Sequence, residues 1–182
     1  RELDERASQL AHYLQKTGSE HNPCVGICME PCVESVVGML GALKAGQIFV
    51  PLDPRVSAER LSFMLKYARV NLLLTREKYK SGLSEHSIQL LCLDHCLDHF
   101  ENQPVPAAGE LNLKENPWPE ITPESPAYVF FTSDREGILA DHRRVCQRLG
   151  QLQEQFALSD TDSMLVQAYP GQDSFIWETL WP

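Results

Sequence analysis

The six cysteines are the residues whose type and spacing most readily suggest chemistry. They are Cys24, Cys28, Cys32, Cys92, Cys96 and Cys146. The spacing of four residues, with His95 and His99 close by, raises the possibility of a metal site. A structural zinc site, however, usually needs one closely spaced pair answered by a second pair. Cys28 lies inside an apolar run, Cys24 precedes it and Cys32 opens a predicted helix, so we interpret these residues as reduced thiols, typical of a cytosolic protein.

Other reaction chemistries find no support in the residue pattern. There is no Ser-His-Asp arrangement, no paired-carboxylate arrangement and no G-x-G-x-x-G sequence that offers a different reaction. The net charge is −9 and the basic residues are scattered, which argues against a nucleic-acid partner. No apolar run approaches the roughly 20 residues that span a membrane, and no signal-peptide pattern opens the chain.

The size and composition indicate one globular domain. The chain has 182 residues, of which 43% are hydrophobic and 23% are charged. This balance is typical of a folded protein with its own core. Because residues 1–4 already continue the pattern of the first helix, we expect the natural start of the protein to lie further upstream.

Helical and strand patterns alternate through the first part of the chain, residues 1–103. The predicted helices cover residues 2–17, 30–46, 57–68 and 76–83, and the predicted strands cover 25–29, 48–50, 70–75 and 88–93. The links between them are short. Such alternation predicts an α/β fold with an open, mostly parallel, doubly wound sheet flanked by helices.

Several local features refine this prediction. Pro31 suits the first position of the second helix, where no amide donor is needed. The predicted inward stripe of that helix is Val36, Leu40 and Leu43. Gly38 and Gly41 predict close packing on the sheet, and Ser57 is the predicted N-cap of the third helix.

Residues 104–126 differ in character because they are rich in proline. We interpret them as an irregular crossing between two parts of one domain, with a flexible interdomain linker as the alternative. In residues 127–182 we predict a strand over 127–132, a loop over 133–140 and a helix from Asp141 or His142 to Phe156. A strand over 164–168 and a helix starting at Asp173 follow, with Val145, Leu149, Leu152 and Phe156 facing inward on the long helix.

Six stretches match motifs of one family, in the family's order. Residues 2–11 are similar to ELDERANRLA, 25–28 to VGIC, 43–53 to LKAGxxYVPLD, 58–65 to AERLxFML, 127–133 to the start of AYVIYTSGSTGxPKG and 173–182 to FDASVWEIFWP. Together they identify a resemblance to the N-terminal part of the amino-acid adenylation domains of nonribosomal peptide synthetases, in the adenylate-forming enzyme superfamily. The whole chain then corresponds to a single truncated adenylation-like domain.

The resemblance implies a phosphate-binding loop that is degenerate here. The family sequence TSGSTGxPKG holds the ATP phosphates with backbone amides, hydroxyl groups and a lysine. Thr132, Ser133 and Gly137 match its ends, but four residues are missing between them. Arg135 stands at the proline position and Glu136 at the lysine position. A carboxylate about 4 Å from a phosphate charge is repelled by about 4 kcal/mol at an effective dielectric near 20.

The resemblance also assigns Asp173 to the family's aspartate that contacts the α-amino group of the substrate. Its surroundings have changed, with Gln172 replacing phenylalanine and Phe175 replacing serine. From the sequence alone, an N-cap for the last helix is an equally good interpretation of Asp173.

These observations support a catalytically inactive pseudo-adenylation domain that serves as a structural or interaction element in a peptide synthetase or polyketide–peptide hybrid. No cofactor is then expected, and the expected partners are neighbouring synthetase domains and a carrier protein in the cytoplasm. The alternative is the N-terminal fragment of an active domain, with ATP and Mg²⁺ as cofactors, that forms an aminoacyl adenylate. A third hypothesis is a free-standing interaction domain that binds a nucleotide without turnover.

Overall fold

A six-stranded, mostly parallel sheet forms the centre of the molecule, as the sequence predicts. The computed structural model describes residues 2–17, 24–84, 88–94, 119–133 and 136–181. The strands are β1 (Cys24–Cys28), β2 (Ile48–Leu52), β3 (Leu72–Thr75), β4 (Gln89–Cys92), β5 (Pro126–Phe131) and β6 (Gly137–Asp141). Their order is β4-β3-β1-β2-β5-β6, and only the β5–β6 pair among them is antiparallel.

Helices cover both faces of this sheet. They are α1 (Glu2–Thr17), α2 (Val33–Lys44), α3 (Ala58–Tyr67), α4 (Glu77–Leu83), α5 (His142–Phe156) and α6 (Asp173–Leu180). Buried residues of α1, α2, α5 and α6 share one hydrophobic cluster with the sheet, and those of α3 and α4 share a second. Successive strand residues point to opposite faces, so Phe49 enters the first cluster and Val50 the second. The predicted doubly wound arrangement is confirmed.

Helix α2 begins later than its sequence suggests. Pro31 precedes the helix, whereas Cys32 is the N-cap and Val33 the first helical residue, so the prediction of Pro31 at the first position is wrong. The Ser35 side chain closes this end of the helix, because its Oγ accepts from the amide of Cys32 at 3.1 Å and donates to the Cys32 carbonyl at 2.7 Å. A serine inside the first turn thus caps the start of the helix, where proline was predicted to be the first helical residue.

The inward face of α2 also differs from the predicted stripe. Val37, Met39 and Ala42 are fully buried, whereas Val36, Leu40 and Leu43 are half-buried. The reason is that α2 lies between the sheet and α1, so it buries two sides. A Cβ on Gly38 would lie 3.4 Å from Ile27 and Leu74 of the sheet, as predicted, but one on Gly41 would lie 2.8 Å from Leu10 of α1.

The end of α2 forms a Schellman motif. Gly46 has φ of +70°, a conformation that glycine adopts without steric cost. The amide of Gly46 donates to the carbonyl of Leu43 at 3.0 Å, and that of Gln47 donates to Ala42 at 2.9 Å. The predicted cap of α3 is likewise confirmed, since the amide of Arg60 donates to Ser57 Oγ at 3.2 Å.

Two predictions for the C-terminal part are wrong. The predicted loop 133–140 contains strand β6, which pairs with β5 and is followed directly by α5. The predicted strand 164–168 is not a strand, and Leu165 is 73% exposed. On α5, Val145 and Leu152 are buried as predicted, and Leu149 is half-buried. Phe156, however, is 57% exposed. Its ring contacts that of Trp181, with ring centroids 5.5 Å apart.

The structure leaves part of the predicted Pro-rich crossing untested, because residues 104–118 lie outside the described residues. None of the helices in the described ranges is long and apolar enough to cross a membrane. Cys24, Cys28, Cys32, Cys92 and Cys146 are free cysteines, and Cys96 lies outside the described residues.

Candidate functional site

The stretch predicted as a phosphate-loop remnant is the connection of the β5–β6 hairpin. Phe131 pairs with Gly137, and the chain reverses between them. The Thr132 amide donates to the Glu136 carbonyl at 2.9 Å, and the Glu136 amide donates to Thr132 Oγ1 at 3.3 Å. The connection is therefore closed on itself by a backbone bond and a side-chain bond, and Ser133 lies exposed at its start.

Helix α3 holds this hairpin from one side. The Arg60 guanidinium donates to the carbonyl of Thr132 at 2.7 Å. Tyr67 and Phe131 pack edge to face with their ring centroids 5.6 Å apart. Gly137 lies under this pair, since a Cβ there would come within 2.8 Å of the Tyr67 ring. The segment that resembles AERLxFML thus fixes the position of the connection.

Asp173 lies in the first turn of α6 and contacts β5 through the side chain of Tyr128. Gln172 is the N-cap of α6 and Asp173 is its first residue, so the interpretation of Asp173 as the N-cap is wrong. The Asp173 carboxylate accepts from Trp177 Nε1 at 3.0 Å and from the Tyr128 hydroxyl at 3.5 Å. Burial raises the pKa of Tyr128, and the negative charge of Asp173 raises it further, so this hydroxyl remains a donor.

The structure gives the predicted site residues different contacts. Thr132 and Ser133 belong to the hairpin connection and Gly137 is the first residue of β6, whereas Asp173 contacts Tyr128 of β5. Tyr128 and Thr132 are four residues apart, which separates their backbones by roughly 13 Å along an extended strand. Asp134 and Arg135 lie outside the described residues.

A cluster that the sequence reasoning missed joins the turn after β2 to the segment before α6. Arg55 Nη2 lies 2.7 Å from Asp53 Oδ2, and the Arg55 guanidinium stands 3.4 Å from the centroid of the Tyr169 ring. Hydrogen bonds from Arg55 hold the pKa of the Asp53 carboxyl below its usual range. The sequence signal was present, because the turn 53–55 reads Asp-Pro-Arg.

No group of three or more potential metal ligands occurs in the described ranges. Burial raises the pKa of Cys28 to about 12, and burial together with Glu34 raises the pKa of Cys32 to about 11. These thiols are therefore protonated at neutral pH and poor metal ligands, since only the thiolate binds a metal well.

Comparison with known proteins agrees with this fold. A model of the family described as AMP-binding enzyme matches residues 1–181, and the chain belongs to that family. It is 34% identical over 185 residues to a component of the linear gramicidin synthase of Brevibacillus parabrevis, a match that covers 100% of this chain and 3% of the relative. It is 31% identical over 174 residues to the polyketide synthase PksN of Bacillus subtilis (strain 168), a match that covers 91% of this chain and 3% of the relative.

A solved structure of the nonribosomal peptide synthetase FmoA3 superimposes with a TM-score of 0.83 at 23% identity, covering 100% of this chain and 18% of that one. This likeness shows the fold alone. The chain therefore corresponds to the N-terminal part of an AMP-binding domain, homologous to the adenylation domains of peptide synthetases, and the predicted resemblance is confirmed. It spans about 3% of the length of the two curated relatives just named.

Proposed function

We propose that this chain is a catalytically silent adenylation domain segment that serves as a structural or interaction element in a peptide synthetase or polyketide–peptide hybrid. One observation carries the proposal. The connection that should bind the ATP phosphates is closed by its own hydrogen bonds between Thr132 and Glu136. It leaves an ordinary β-hairpin where the family has a flexible loop.

The hairpin does not fit a triphosphate. Anion-binding loops present several free backbone amides to the phosphate oxygens. Here the amides of Thr132 and Glu136 already donate within the connection. The exposed Glu136 also stands where the family lysine would add positive charge. The occupied amides and the negative charge of Glu136 both weaken phosphate binding. We therefore assign no ATP site and no step of adenylation to the described residues.

Asp173 does not restore the reaction. Its carboxylate already accepts from Trp177 and Tyr128, so an incoming ammonium group would have to compete with both donors. The fully buried neighbours Phe175 and Ile176 anchor the start of α6 to the core. We assign Asp173 a structural role that ties α6 to β5.

The sheet is well formed beside this altered loop, which supports a scaffold role. The expected partners are neighbouring synthetase domains, in keeping with the synthetase and synthase names of the relatives, and a carrier protein. We place this role in the cytoplasm. No cofactor takes part in it.

A second candidate is the N-terminal fragment of an active domain that uses ATP and Mg²⁺. The observation in its favour is Asp173, which keeps the residue type and an exposed position at the start of α6. This candidate requires that the hairpin opens when ATP binds.

Calorimetric titration of the chain with ATP and Mg²⁺ distinguishes the two. We expect no saturable heat up to millimolar ATP and no ATP–pyrophosphate exchange with any amino acid. Saturable binding of ATP, lost on Thr132→Val, would overturn the proposal.

A variant of the same chain separates the effect of the loop from that of chain length. It carries Gly-Ser-Thr-Gly inserted after Ser133 together with Glu136→Lys. We expect this variant to gain weak ATP binding because free amides and a positive charge return. If neither the chain nor this variant binds ATP, we measure ATP–pyrophosphate exchange by the longest natural protein that contains the chain. Exchange that is lost on Asp173→Asn would show that the domain is active and would overturn the proposal.

A further inference from the structure

A second place with the elements of a reactive site lies away from the hairpin connection, where the turn 121–123 meets α5. A cavity of about 470 Å³ opens there between Ile121 and Pro123 on one side and the first turns of α5 on the other. His142, Arg143 and Cys146 line its α5 side. This volume falls in the usual range for small-molecule sites, which combine apolar walls with a few polar groups.

We propose that this cavity takes small disulfides that bear carboxylate groups, and that Cys146 forms a mixed disulfide with them. The site combines three components in one cavity: a nucleophile, a base and a cation. None of them belongs to the hairpin connection or to the surroundings of Asp173. The inference is therefore independent of whether the chain has lost adenylation.

Cys146 differs from the other described cysteines. It is exposed, whereas Cys28 and Cys92 are buried and Cys24 and Cys32 are half-buried. Burial raises the pKa of Cys24, and burial with the Glu77 carboxylate raises that of Cys92 to about 11. Because the thiolate is the attacking species, accessible Cys146 is the thiol in the described ranges best placed to react.

His142 supplies the base. It precedes Cys146 by four residues on α5, so their Cβ atoms are neighbours at about 5–6 Å on one helix face. The His142 backbone is fixed because its amide donates to the carbonyl of Ser125 at 3.0 Å. Burial lowers the pKa of His142, and the Asp141 carboxylate partly offsets this. A neutral imidazole at pH 7 is ready to accept the thiol proton.

Arg143 sets the preference for an anionic ligand. Arg143 is one of the residues that line the cavity, and its guanidinium pairs with Glu124 of the facing turn, an exposed carboxylate that a ligand carboxylate can replace. The amide of Arg143 donates to the Pro123 carbonyl at 2.8 Å, which fixes the two walls of the cavity relative to each other. The titratable and charged groups that line the cavity with Cys146 are His142 and Arg143; Glu124 is the ion-pair partner of Arg143, and Asp141 caps the start of α5.

The step balances without another reagent. The Cys146 thiol gives its proton to His142, and the thiolate attacks one sulfur of the disulfide. A new S–S bond forms as the old one breaks, and the leaving thiolate takes the proton back from the imidazolium. The disulfide is the oxidant, and one equivalent of free thiol is the product.

The test is the rate of mixed-disulfide formation with glutathione disulfide, followed by intact-mass spectrometry with peptide mapping. We expect one adduct, on Cys146, that Cys146→Ser abolishes. A matched control places a thiol on the same helix outside the cavity, by combining Cys146→Ser with Gln155→Cys. We expect the natural thiol to react roughly fivefold faster than this control at pH 7.5.

Two further variants test the assigned roles. His142→Gln should lower the rate to that of the control thiol and remove the rate advantage below pH 8. Arg143→Gln should reduce the preference for glutathione disulfide over the cationic disulfide cystamine. Equal rates for Cys146 and the control thiol, or adducts only on other cysteines, would overturn the proposal and leave Cys146 an ordinary surface thiol. Neither result bears on ATP binding, so failure here is distinguishable from failure of the proposed function.

Discussion

The segment 24–53 and the β5–β6 hairpin are neighbours in one sheet, but they differ in how closely their residues match the family motifs. The first contains β1, α2 and β2, and in it nearly every family-like residue has a packing or turn role: Phe49 is fully buried, and Gly46 ends α2 with a positive φ. In the hairpin both strands are formed, and the hydrogen bond from the Thr132 amide to the Glu136 carbonyl closes the connection between them. The comparison teaches that the residues of one family-like motif can have mainly packing and turn roles, while a neighbouring stretch that departs from its motif still forms paired strands.

The largest effect is expected from Phe49→Ala in β2. Phe49 is fully buried and stacks on Tyr128 of β5 with ring centroids 5.4 Å apart, so it joins the two regions. Removing a buried aromatic ring costs about 3–5 kcal/mol in the free energy of unfolding. Urea denaturation followed by circular dichroism measures this. Leu165→Ala is the control, since Leu165 is 73% exposed and should change stability little. A cost below about 1 kcal/mol at Phe49 would contradict the scaffold role.

The next largest effect is expected from Gly46→Ala. The change forces an alanine into φ of +70° and brings a Cβ within 2.6 Å of Pro119, which together should cost about 2 kcal/mol. Thermal unfolding of the variant measures it. Gly82→Ala is the matched control, because a Cβ there meets nothing within 4 Å and Gly82 lies in helix α4, so stability should rise by about 0.5 kcal/mol. Equal changes in stability at Gly46 and Gly82 would contradict the inference that the positive φ and the close approach of Pro119 require glycine at position 46.

A pH-dependent effect of about 1 kcal/mol is expected from Glu30→Gln, just after β1. Burial acts to raise the pKa of Glu30, but hydrogen bonds from Lys78 and Tyr79 outweigh it and lower the pKa from 4.5 to about 2. A carboxyl with a lowered pKa stabilises the fold above its unfolded pKa, and that stability is lost as pH falls towards the folded value. The difference in unfolding free energy between the two proteins should therefore be full at pH 7, decrease below about pH 4.5 and be lost as the pH falls through about 2. A difference that stays constant with pH would rule out the ion pair as its source.

The smallest effect is expected from Glu136→Lys in the hairpin connection. Glu136 is exposed and its hydrogen bonds use only backbone atoms, so the unfolding free energy should change by less than about 0.5 kcal/mol. Calorimetry should detect no ATP binding, because the connection remains closed. The contrast with Phe49→Ala sharpens the comparison: the hairpin connection tolerates change that the scaffold does not. Acquisition of ATP binding from this single change would show that charge alone, and not closure, had silenced the loop.

Much of the fold could be predicted from the sequence because it depends on periodic apolar residues and strong caps. The strands near Ile27 and Phe49, the Ser57 cap and the end of α2 near Gly46 all follow from local patterns. The inward face of α2 could not be predicted, because its contacts with α1 at Leu10 depend on tertiary packing.

The candidate site was predictable in position but not in conformation. The match of Thr132, Ser133 and Gly137 to the loop motif marked the right stretch, but periodicity gave no signal that residues 137–141 would pair with β5. The pairing ends at Thr132 and Glu136, whose hydrogen bonds to each other close the connection. The contacts of Asp173 with Tyr128 and Trp177 join residues up to 45 positions apart, which spacing alone does not reveal.

The short connection between β5 and β6 also has a consequence for the order of folding. Parallel strands such as β1 and β3 pair only after a long loop has closed, which is entropically costly and slow. The β5–β6 hairpin, by contrast, joins strands separated by five residues and should form within about 1–10 μs, the time typical of hairpins. The short connection between β5 and β6 thus favours an early local nucleus on which the parallel strands assemble.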